Sequence, residues 1–185
     1  MCGIYGQIEP FTPDQLTFLN QQLQHRGPDE QRWKEYGHIS FFHSRLSIVD
    51  AQGGSQPMET HRYSIIYNGE IYNHLELRTQ FSLHGKTRSD TETLLLLYEK
   101  MGVDMLQYLD GMFAFALYDK LNGEIILARD RMGEKPLYYI RDENQFSFAS
   151  ELNTLSGIRK LDIRSAALIQ FLVCGWMGPE ETVYE

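Results

Sequence analysis

Cys2 directly follows the initiator methionine and is the first residue of the sequence that could do covalent chemistry. A small side chain here permits removal of Met1, which would place an α-amine with a reference pKa of about 8 beside the thiol. Such an amine can serve as the base for its own side chain, as in N-terminal nucleophiles. Taken alone, however, Cys2 is interpreted more simply as a small buried hydrophobe, as most free cysteines are.

Three further segments carry groups that suit a zwitterionic amide. Arg45 lies in an otherwise apolar, strand-like run and needs an anionic partner, either a protein carboxylate or a substrate carboxylate. Asn68-Gly69 is typical of a turn, although an Asn amide and a glycine N–H directed at one point also form an oxyanion hole. Asp90 lies at a helix start, where it either complements the helix dipole or holds an ammonium group. Together with a thiolate nucleophile, these groups form a site that fits glutamine.

The elements that position these residues are predicted from hydrophobic periodicity and turn signals. Gly3 and Gly6 in the first strand predict that another segment runs close to its backbone. Continuous apolar runs in the second half predict a sheet covered on both faces. Two packed sheets with helices outside give an α+β fold, a four-layer αββα sandwich. Strands are predicted at residues 2–8, 31–35, 38–43, 62–67, 113–119, 124–130, 136–141 and 145–150, and helices at 13–24, within 72–83, from 89 and from 165.

Two short motifs make sharper local predictions. Ser89 and Glu92 have the spacing of a capping box, in which the Ser hydroxyl accepts from the N–H three residues on and the Glu carboxylate reaches back to the cap. Asn122-Gly123 lies between two apolar strands and predicts a tight hairpin turn with positive φ at both positions.

Composition and charge exclude several classes of function. With 185 residues, 42% of them hydrophobic, the chain suits one globular domain. A net charge of -8 without a Lys and Arg cluster argues against nucleic acid as a partner. No apolar run approaches the roughly 18 to 20 residues of a membrane span, and no signal peptide is evident, so we expect a cytoplasmic protein without membrane contact. The two cysteines are expected to be free, and the six histidines lack metal-ligand spacing, so no metal is predicted.

The order of the motifs resembles that of one family. The series is Met1-Cys-Gly-Ile, His25-Arg-Gly-Pro-Asp, Arg45-Leu-Ser-Ile-Val-Asp, Gln56-Pro-Met, Tyr67-Asn-Gly-Glu-Ile-Tyr-Asn, Ser89-Asp-Thr-Glu, Asp110-Gly-Met-Phe-Ala-Phe-Ala, Ala128-Arg-Asp-Arg-Met-Gly-Glu-Lys-Pro-Leu-Tyr-Tyr and Phe148-Ala-Ser-Glu. Over essentially the whole chain it resembles the N-terminal glutaminase domain of glutamine-dependent asparagine synthetases, within the class II (N-terminal nucleophile) glutamine amidotransferases. The glucosamine-phosphate synthase and phosphoribosyl-pyrophosphate amidotransferase branches share the initial Cys but differ around the arginine and Asn-Gly motifs.

This resemblance implies a fold and a catalytic centre. The fold would be an αββα sandwich of the N-terminal-nucleophile hydrolase type. Cys2 would be the nucleophile, and Asn68 and Gly69 would form the oxyanion hole. Segments 25–29 and 129–139 are interpreted as structural or domain-facing rather than catalytic.

The resemblance also implies how glutamine would be held. Arg45 would bind the glutamine carboxylate, while Asp90 and Glu70 would bind its amino end. The pocket would be lined by the backbone of Leu46, Ser47, Ile48 and Val49.

The domain organisation follows from the same resemblance. Residues 1–160 are interpreted as the amidotransferase domain, and residues 161–185 as a helix and the start of a linker. Family members continue into an ATP-using synthetase domain with a Ser-Gly-Gly-x-Asp-Ser loop, which these residues do not contain. We therefore expect the chain to stop within the connection, with ATP and Mg²⁺ acting only in a synthetase domain in cis and no cofactor in this domain. The resemblance is compatible with a homodimer. It leaves two candidates for the ammonia acceptor, aspartate or another carboxylate.

Some features depart from the family pattern and leave rival interpretations. Gly54-Ser55-Gln56 stands where the family commonly has Gly-His-Gln, and Glu134 replaces a usual aliphatic residue. One rival is a catalytically silent fold kept as a docking module, as in the β-lactam-forming synthetases, which lack the nucleophile. Another is a general thiol hydrolase without ammonia transfer. The intact set of candidate residues favours the amidotransferase.

Overall fold

The computed structural model describes residues 1–143, 145–178 and 182–184. The strands are β1 (Gly3–Ile8), β2 (Glu30–Tyr36), β3 (Ile39–Arg45), β4 (Met58–Glu59), β5 (Tyr63–Ile71), β6 (Gly111–Asp119), β7 (Glu124–Arg129), β8 (Tyr138–Arg141) and β9 (Phe146–Ala149). The helices are α1 (Pro13–Leu23), α2 (His74–Gln80), α3 (Asp90–Met101), α4 (Leu152–Ile158) and α5 (Ser165–Cys174), with a 3-10 helix at Gly102–Gln107.

The strands form two antiparallel sheets. The first sheet has the order β2-β3-β1-β9-β8, so the N-terminal strand lies at its centre. The second sheet has the order β4-β5-β6-β7, and its longest pairing joins β5 to β6. Because β4 is only two residues long and pairs with Ile65 and Ser64, the outer edge of β5 is open beyond Ile65.

Three apolar clusters define four layers. Side chains of β1 and β3 such as Ile4 and Phe41 meet Ile66 and Ala116 of the second sheet in the middle of the domain. The outer face of the first sheet packs on α1 and α4, and the outer face of the second sheet packs on α2 and α3. Each fully buried large apolar side chain stabilises this arrangement by roughly 1.5–3 kcal/mol. The predicted αββα sandwich is therefore confirmed.

The two glycines of β1 lie where side chains of neighbouring elements come close to the backbone, as predicted. A Cβ atom at Gly6 would collide with the Phe148 ring of the neighbouring strand β9, and one at Gly3 would press on Leu23 of α1. The central strand thus carries glycine where the adjacent layer leaves no room for a side chain.

The predicted capping box at α3 is wrong in both of its hydrogen bonds. The Ser89 hydroxyl accepts from Thr91 N, and the Glu92 carboxylate accepts from the backbone of Lys86 and Thr87 rather than from Ser89. Glu92 finds several donors in the preceding loop, including the Thr87 hydroxyl, and these outnumber the single N–H that a capping box offers. A complete capping box occurs instead at α1, between Thr12 and Gln15.

The predicted hairpin between β6 and β7 forms with a different turn. Asp119 pairs with Glu124, which leaves a four-residue loop, and Gly123 N donates to the Asp119 carbonyl at 2.8 Å. Gly123 has a φ of 73°, whereas Asn122 is not among the residues with positive φ, so the expectation for both positions is wrong. The Asp119 carboxylate accepts from the N–H groups of Leu121 and Asn122 and stabilises the longer loop.

Other elements differ from the predictions mainly in extent. Strand β5 runs four residues past the predicted end at Tyr67, and neither β4, α4 nor the 3-10 helix was predicted. Helix α5 begins at Ser165 as predicted, while Pro179, Glu180, Glu181 and Glu185 of the predicted linker lie outside the described residues. Among the described helices, none is both long and apolar enough to cross a membrane. Cys2 and Cys174 are both free, as predicted.

Candidate active site

The pairing of β1 with β3 brings Cys2 beside the strand end that carries Arg45. Gly3 lies opposite Ser44, and Ile4 faces the space between the sheets, so alternation directs the Cys2 side chain to that same space. Leu46 N approaches the Cys2 sulfur at 3.4 Å. The thiol therefore lies at the end of the inter-sheet layer, at the start of the loop that follows β3.

Burial is the main influence on the Cys2 thiol. It raises the pKa of Cys2 above its ordinary value, and the Leu46 N–H, the N-terminal charge and the Arg45 and Arg26 guanidinium groups offset this only in part. The thiol is consequently protonated at neutral pH. A nucleophilic role requires a nearby base that takes the proton as the sulfur attacks.

The open edge of β5 supplies one unpaired donor. Tyr67 N donates to Gln56 Oε1 at 2.6 Å and Ile71 N donates to Asp90 Oδ2 at 3.1 Å, so both N–H groups point away from β6. In an antiparallel ladder alternate residues share an edge, which places the Gly69 N–H on that open edge as well. No described residue accepts from it. A side chain at Gly69 would collide with the Met112 carbonyl oxygen, so the position requires glycine.

Asn68 supplies a second unpaired donor. Its side chain is 1% exposed, and its Nδ2 makes no hydrogen bond with any described residue. Alternation along β5 directs Asn68 opposite to Tyr67, into the inter-sheet space that also receives Cys2. Leaving an amide N–H unpaired and buried costs about 1–3 kcal/mol, which is a common sign of a site that awaits a ligand oxygen.

Asp90 opens α3 and reaches the same region around the open edge of β5. It is buried, and its Oδ2 accepts from the Tyr67 hydroxyl at 2.8 Å as well as from Ile71 N. Its Oδ1 accepts from Thr91 N at 3.0 Å. These donors hold a carboxylate charge at the wall of the cavity.

Arg45 supports the loop after β3 as well as the cavity. Its Nη1 and Nη2 donate to the carbonyl oxygens of Ala51 and Asp50 at 3.0 and 2.7 Å. The nearest protein carboxylate, Glu30, lies 3.9 Å from Nη1 and forms a long ion pair. Gly54 packs directly on this guanidinium, and a side chain there would displace it. Arg45 is therefore buried with a positive charge that protein carboxylates neutralise only weakly.

One cavity brings almost all the predicted site residues together. Ser47 is the exception, since it does not line the cavity and its N–H donates to Asp29 Oδ2 at 2.7 Å. The predicted contribution of the Ser47 backbone to a glutamine pocket stays a prediction. The lining comprises Met1, Cys2, Arg45, Leu46, Ile48, Val49, Gly54, Gln56, Tyr67, Asn68, Gly69, Glu70, Ser89, Asp90, Thr91, Met112 and Lys135.

Two residues near the thiol were assigned elsewhere from sequence. Arg26, in the segment interpreted as structural, donates from Nε to the Cys2 carbonyl at 2.9 Å and from Nη1 to Glu151 at 3.0 Å. Lys135, in the segment interpreted as domain-facing, lines the cavity with its Nζ 3.3 Å from Met1 Sδ. Both segments, interpreted from sequence as structural or domain-facing rather than catalytic, thus contact the first two residues of the chain. The available signal was that each cation lies within two residues of both a glycine and a proline, in His25-Arg-Gly-Pro28 and Gly133-Glu-Lys-Pro136.

His43 lies behind the oxyanion donors and makes a testable contribution to stability. It is fully buried, with Nε2 3.2 Å from the Tyr67 carbonyl and Nδ1 unpaired among the described residues. Burial lowers the pKa of His43 to about 3, so the ring is neutral at physiological pH. The unfolded chain binds a proton at this residue below its ordinary pKa of 6.5, and the folded chain does not.

Folding stability should therefore fall as the pH drops below 6.5, by about 2 kcal/mol between pH 7 and pH 5 from this residue alone. A His43→Gln variant, which keeps a donor near the Nε2 position, should lose this part of the pH dependence. Urea unfolding of both proteins at the two pH values measures the difference. Equal pH dependence in the two proteins would contradict the neutral, buried histidine.

Within residues 1–143, 145–178 and 182–184, no group of three or more His, Cys, Asp or Glu side chains is placed to hold an ion. The cavity offers instead one thiol, two N–H donors that are unpaired among the described residues, two cations (Arg45 and Lys135) and two carboxylates (Glu70 and Asp90).

The chain is similar to a family of known proteins. A family model described as glutamine amidotransferase domain matches residues 1–185. The chain is 39% identical over 185 residues to asparagine synthetase (glutamine-hydrolyzing) 1 of Bacillus subtilis, covering 93% of this chain and 29% of that protein. It is 38% identical over 167 residues to asparagine synthetase B (glutamine-hydrolyzing) of Escherichia coli, covering 84% of this chain and 30% of that protein. The chain thus spans less than a third of each relative.

The fold has a solved counterpart. The glutamine phosphoribosylpyrophosphate amidotransferase from B. subtilis superposes with a TM-score of 0.66 at 22% identity, over 84% of this chain and 43% of that one. This likeness concerns the fold. On the match of the family model over its whole length, the chain belongs to the glutamine amidotransferase domain family.

Proposed function

We propose that the chain hydrolyses L-glutamine to glutamate and ammonia through a glutamyl thioester on Cys2. The observation that carries this proposal is the pair of unpaired donors, Asn68 Nδ2 and the Gly69 N–H, at the end of the inter-sheet layer where the thiol lies. Two such donors can hold the oxyanion that forms when a thiol attacks a carboxamide.

Charge in the cavity supports glutamine as the amide. Arg45 has a buried guanidinium with only a long ion pair to Glu30, and it is proposed to bind the α-carboxylate. Asp90 is proposed to bind the α-ammonium, with Glu70, which also lines the cavity, as a second anion. The backbone of Leu46, Ile48 and Val49 forms the adjoining wall. A cation for the carboxylate and anions for the ammonium favour an amino-acid amide over a simple amide.

The proposed reaction forms a thioester and then hydrolyses it. The α-amine of Cys2 takes the thiol proton, and the sulfur forms a bond to the amide carbon. The C–N bond then breaks, and the resulting ammonium group of the terminus protonates the departing nitrogen, so ammonia leaves. The amine next takes a proton from water, whose oxygen attacks the thioester carbon. The C–S bond breaks, the terminal ammonium returns the proton to the sulfur, and glutamate leaves. The raised pKa of Cys2 fits this route, because the neutral thiol needs the amine as a base.

Removal of Met1 is predicted to be required. A protein carrying a cleavable extension in front of Cys2 should release no ammonia from glutamine before cleavage, because its sulfur lacks a free amine beside it. Cleavage directly before Cys2 should start turnover in the same preparation. Ammonia release, followed together with the mass of the N-terminal peptide, measures this. Equal rates of ammonia release before and after cleavage would rule out the terminal amine as the base. If the cleaved protein released ammonia from asparagine as fast as from glutamine, it would be a general thiol hydrolase.

A further domain is proposed to consume the ammonia. The relatives extend well beyond the matched region, and α5 exposes Ile169, Leu172 and Val173 to solvent, as an unpartnered helix at a domain junction would. We propose residues 1–160 as the amidotransferase domain, 161–185 as its junction, and an ATP- and Mg²⁺-dependent synthetase domain in cis that transfers ammonia to aspartate or another carboxylate. A cytoplasmic location and a homodimer accord with this proposal. Glutamine-dependent formation of asparagine by the longer polypeptide tests it.

A further inference from the structure

Tyr67 makes hydrogen bonds through all three of its polar groups, and each goes to a different part of the site. Its N–H donates to Gln56 Oε1, its carbonyl lies 3.2 Å from His43 Nε2, and its hydroxyl donates to Asp90 Oδ2 at 2.8 Å. The backbone of Tyr67 therefore continues directly into the oxyanion residue Asn68, while its side chain contacts the proposed ammonium-binding carboxylate.

Alternation along β5 explains how one residue reaches both places. Asn68 points between the sheets, so Tyr67 points to the outer face and into the layer of α3. Its ring is buried among apolar side chains of that layer and is 2% exposed. Burial and the Asp90 charge raise the pKa of Tyr67 well above its usual range, so the hydroxyl stays a donor at every pH at which the protein works.

We propose that Tyr67 is a positioning residue that orients Asp90 for the α-ammonium of the substrate, a role that rests on the proposed glutamine hydrolysis. Asp90 Oδ2 receives two hydrogen bonds, from the Tyr67 hydroxyl and from Ile71 N, and Oδ1 receives one from Thr91 N. The Tyr67 bond is the only one of these three that comes from a side chain, and it shares Oδ2 with the Ile71 N–H, so a side-chain substitution can remove it without altering the backbone donors.

A Tyr67→Phe variant removes this donor while keeping the ring in its apolar layer. Because hydrogen bonds to charged groups are among the stronger ones, KM for glutamine should rise about tenfold. The oxyanion donors and the thiol are unchanged, so kcat should stay within about twofold. Steady-state ammonia release gives both constants.

Tyr63→Phe is the matched control. Tyr63 lies on the same strand and the same face, with its ring 5.0 Å from the ring of Tyr98, and its hydroxyl makes no hydrogen bond with any described residue. The Tyr63→Phe variant should leave kcat and KM for glutamine unchanged. A rise in KM in both variants would indicate general loosening of this layer and would overturn the positioning role.

Two further measurements separate a specific role from a structural one. Calorimetric binding of L-glutamate and of glutarate, which lacks the amino group, should show that the wild type prefers glutamate and that Tyr67→Phe loses most of this preference. In an Asp90→Asn background, Tyr67→Phe should have no further effect on glutamate affinity, because it acts through the carboxylate. An additional loss in that background, or an intact preference in Tyr67→Phe, overturns the proposal. A wild type that releases no ammonia and binds no glutamate would instead contradict the proposed function itself.

Discussion

Replacing Cys2 with alanine is expected to abolish glutamine hydrolysis, with kcat reduced by more than about 10³-fold. The variant keeps the cation, the anion and the oxyanion donors but has no atom that can form the thioester. Ammonia release from glutamine, measured on the N-terminally processed protein, gives the rate. Because the hydrogen bonds of Cys2 Sγ to described residues both involve the Leu46 backbone and are long, stability should change little.

Cys174 provides the control for this prediction. It is the second free cysteine and is exposed on α5, away from the cavity residues. Cys174→Ala should keep full activity, and an electrophilic analogue of glutamine should modify Cys2 alone, as detected by mass spectrometry of the peptides. Hydrolysis that survives Cys2→Ala, or exclusive modification of Cys174, would refute the assignment of the nucleophile.

Replacing Asn68 with alanine is expected to lower kcat by about 10² to 10³-fold with little change in KM, because one oxyanion donor acts only as negative charge develops. The structure adds a less usual expectation for stability. Asn68 Nδ2 is buried without a partner, so its removal eliminates an unsatisfied donor. The free energy of unfolding should therefore stay constant or increase while activity falls. Steady-state kinetics and urea unfolding of the same preparation test both expectations.

Asn73, just beyond the end of β5, is the matched comparison. Its Nδ2 donates to the Tyr108 carbonyl at 2.8 Å and its Oδ1 accepts from Asp110 N at 3.1 Å, so its amide is fully engaged. Asn73→Ala should lose about 1 kcal/mol of stability and keep kcat near the wild-type value. If Asn68→Ala instead destabilised the protein and left kcat unchanged, Asn68 would be a structural residue and the oxyanion assignment would fall.

Much of the fold could be predicted because its signals are local. Helix α1 has apolar residues at helical spacing, and the strands are apolar runs bounded by turn residues. Predictions failed where a side chain had a choice of partners. Glu92 has the spacing of a capping residue, yet its carboxylate binds Lys86 and Thr87, since the loop before α3 folds back over the helix start. Short elements such as β4 and α4 carry too few residues to show a period.

The candidate site could be predicted in part for the same reason. Arg45, Asn68, Gly69 and Asp90 belong to contiguous motifs, and the structure places all of them at one cavity with Cys2. Arg26 and Lys135 could not be assigned to it from sequence. Their approach to the first residues depends on packing between segments more than 20 and more than 130 positions apart along the chain.

The reactive groups and the local elements that carry them can be identified from the sequence, because side-chain chemistry and short-range periodicity are properties of neighbouring residues. Which of those groups stay unpaired depends on the packing of the whole domain. No described residue pairs with the Gly69 N–H because β4 does not extend along that part of β5, and none pairs with Asn68 Nδ2, which alternation directs between the sheets. A hydrogen-bond donor can bind a substrate only if no nearby protein group already accepts from it. The groups that surround a donor come together from distant parts of the chain.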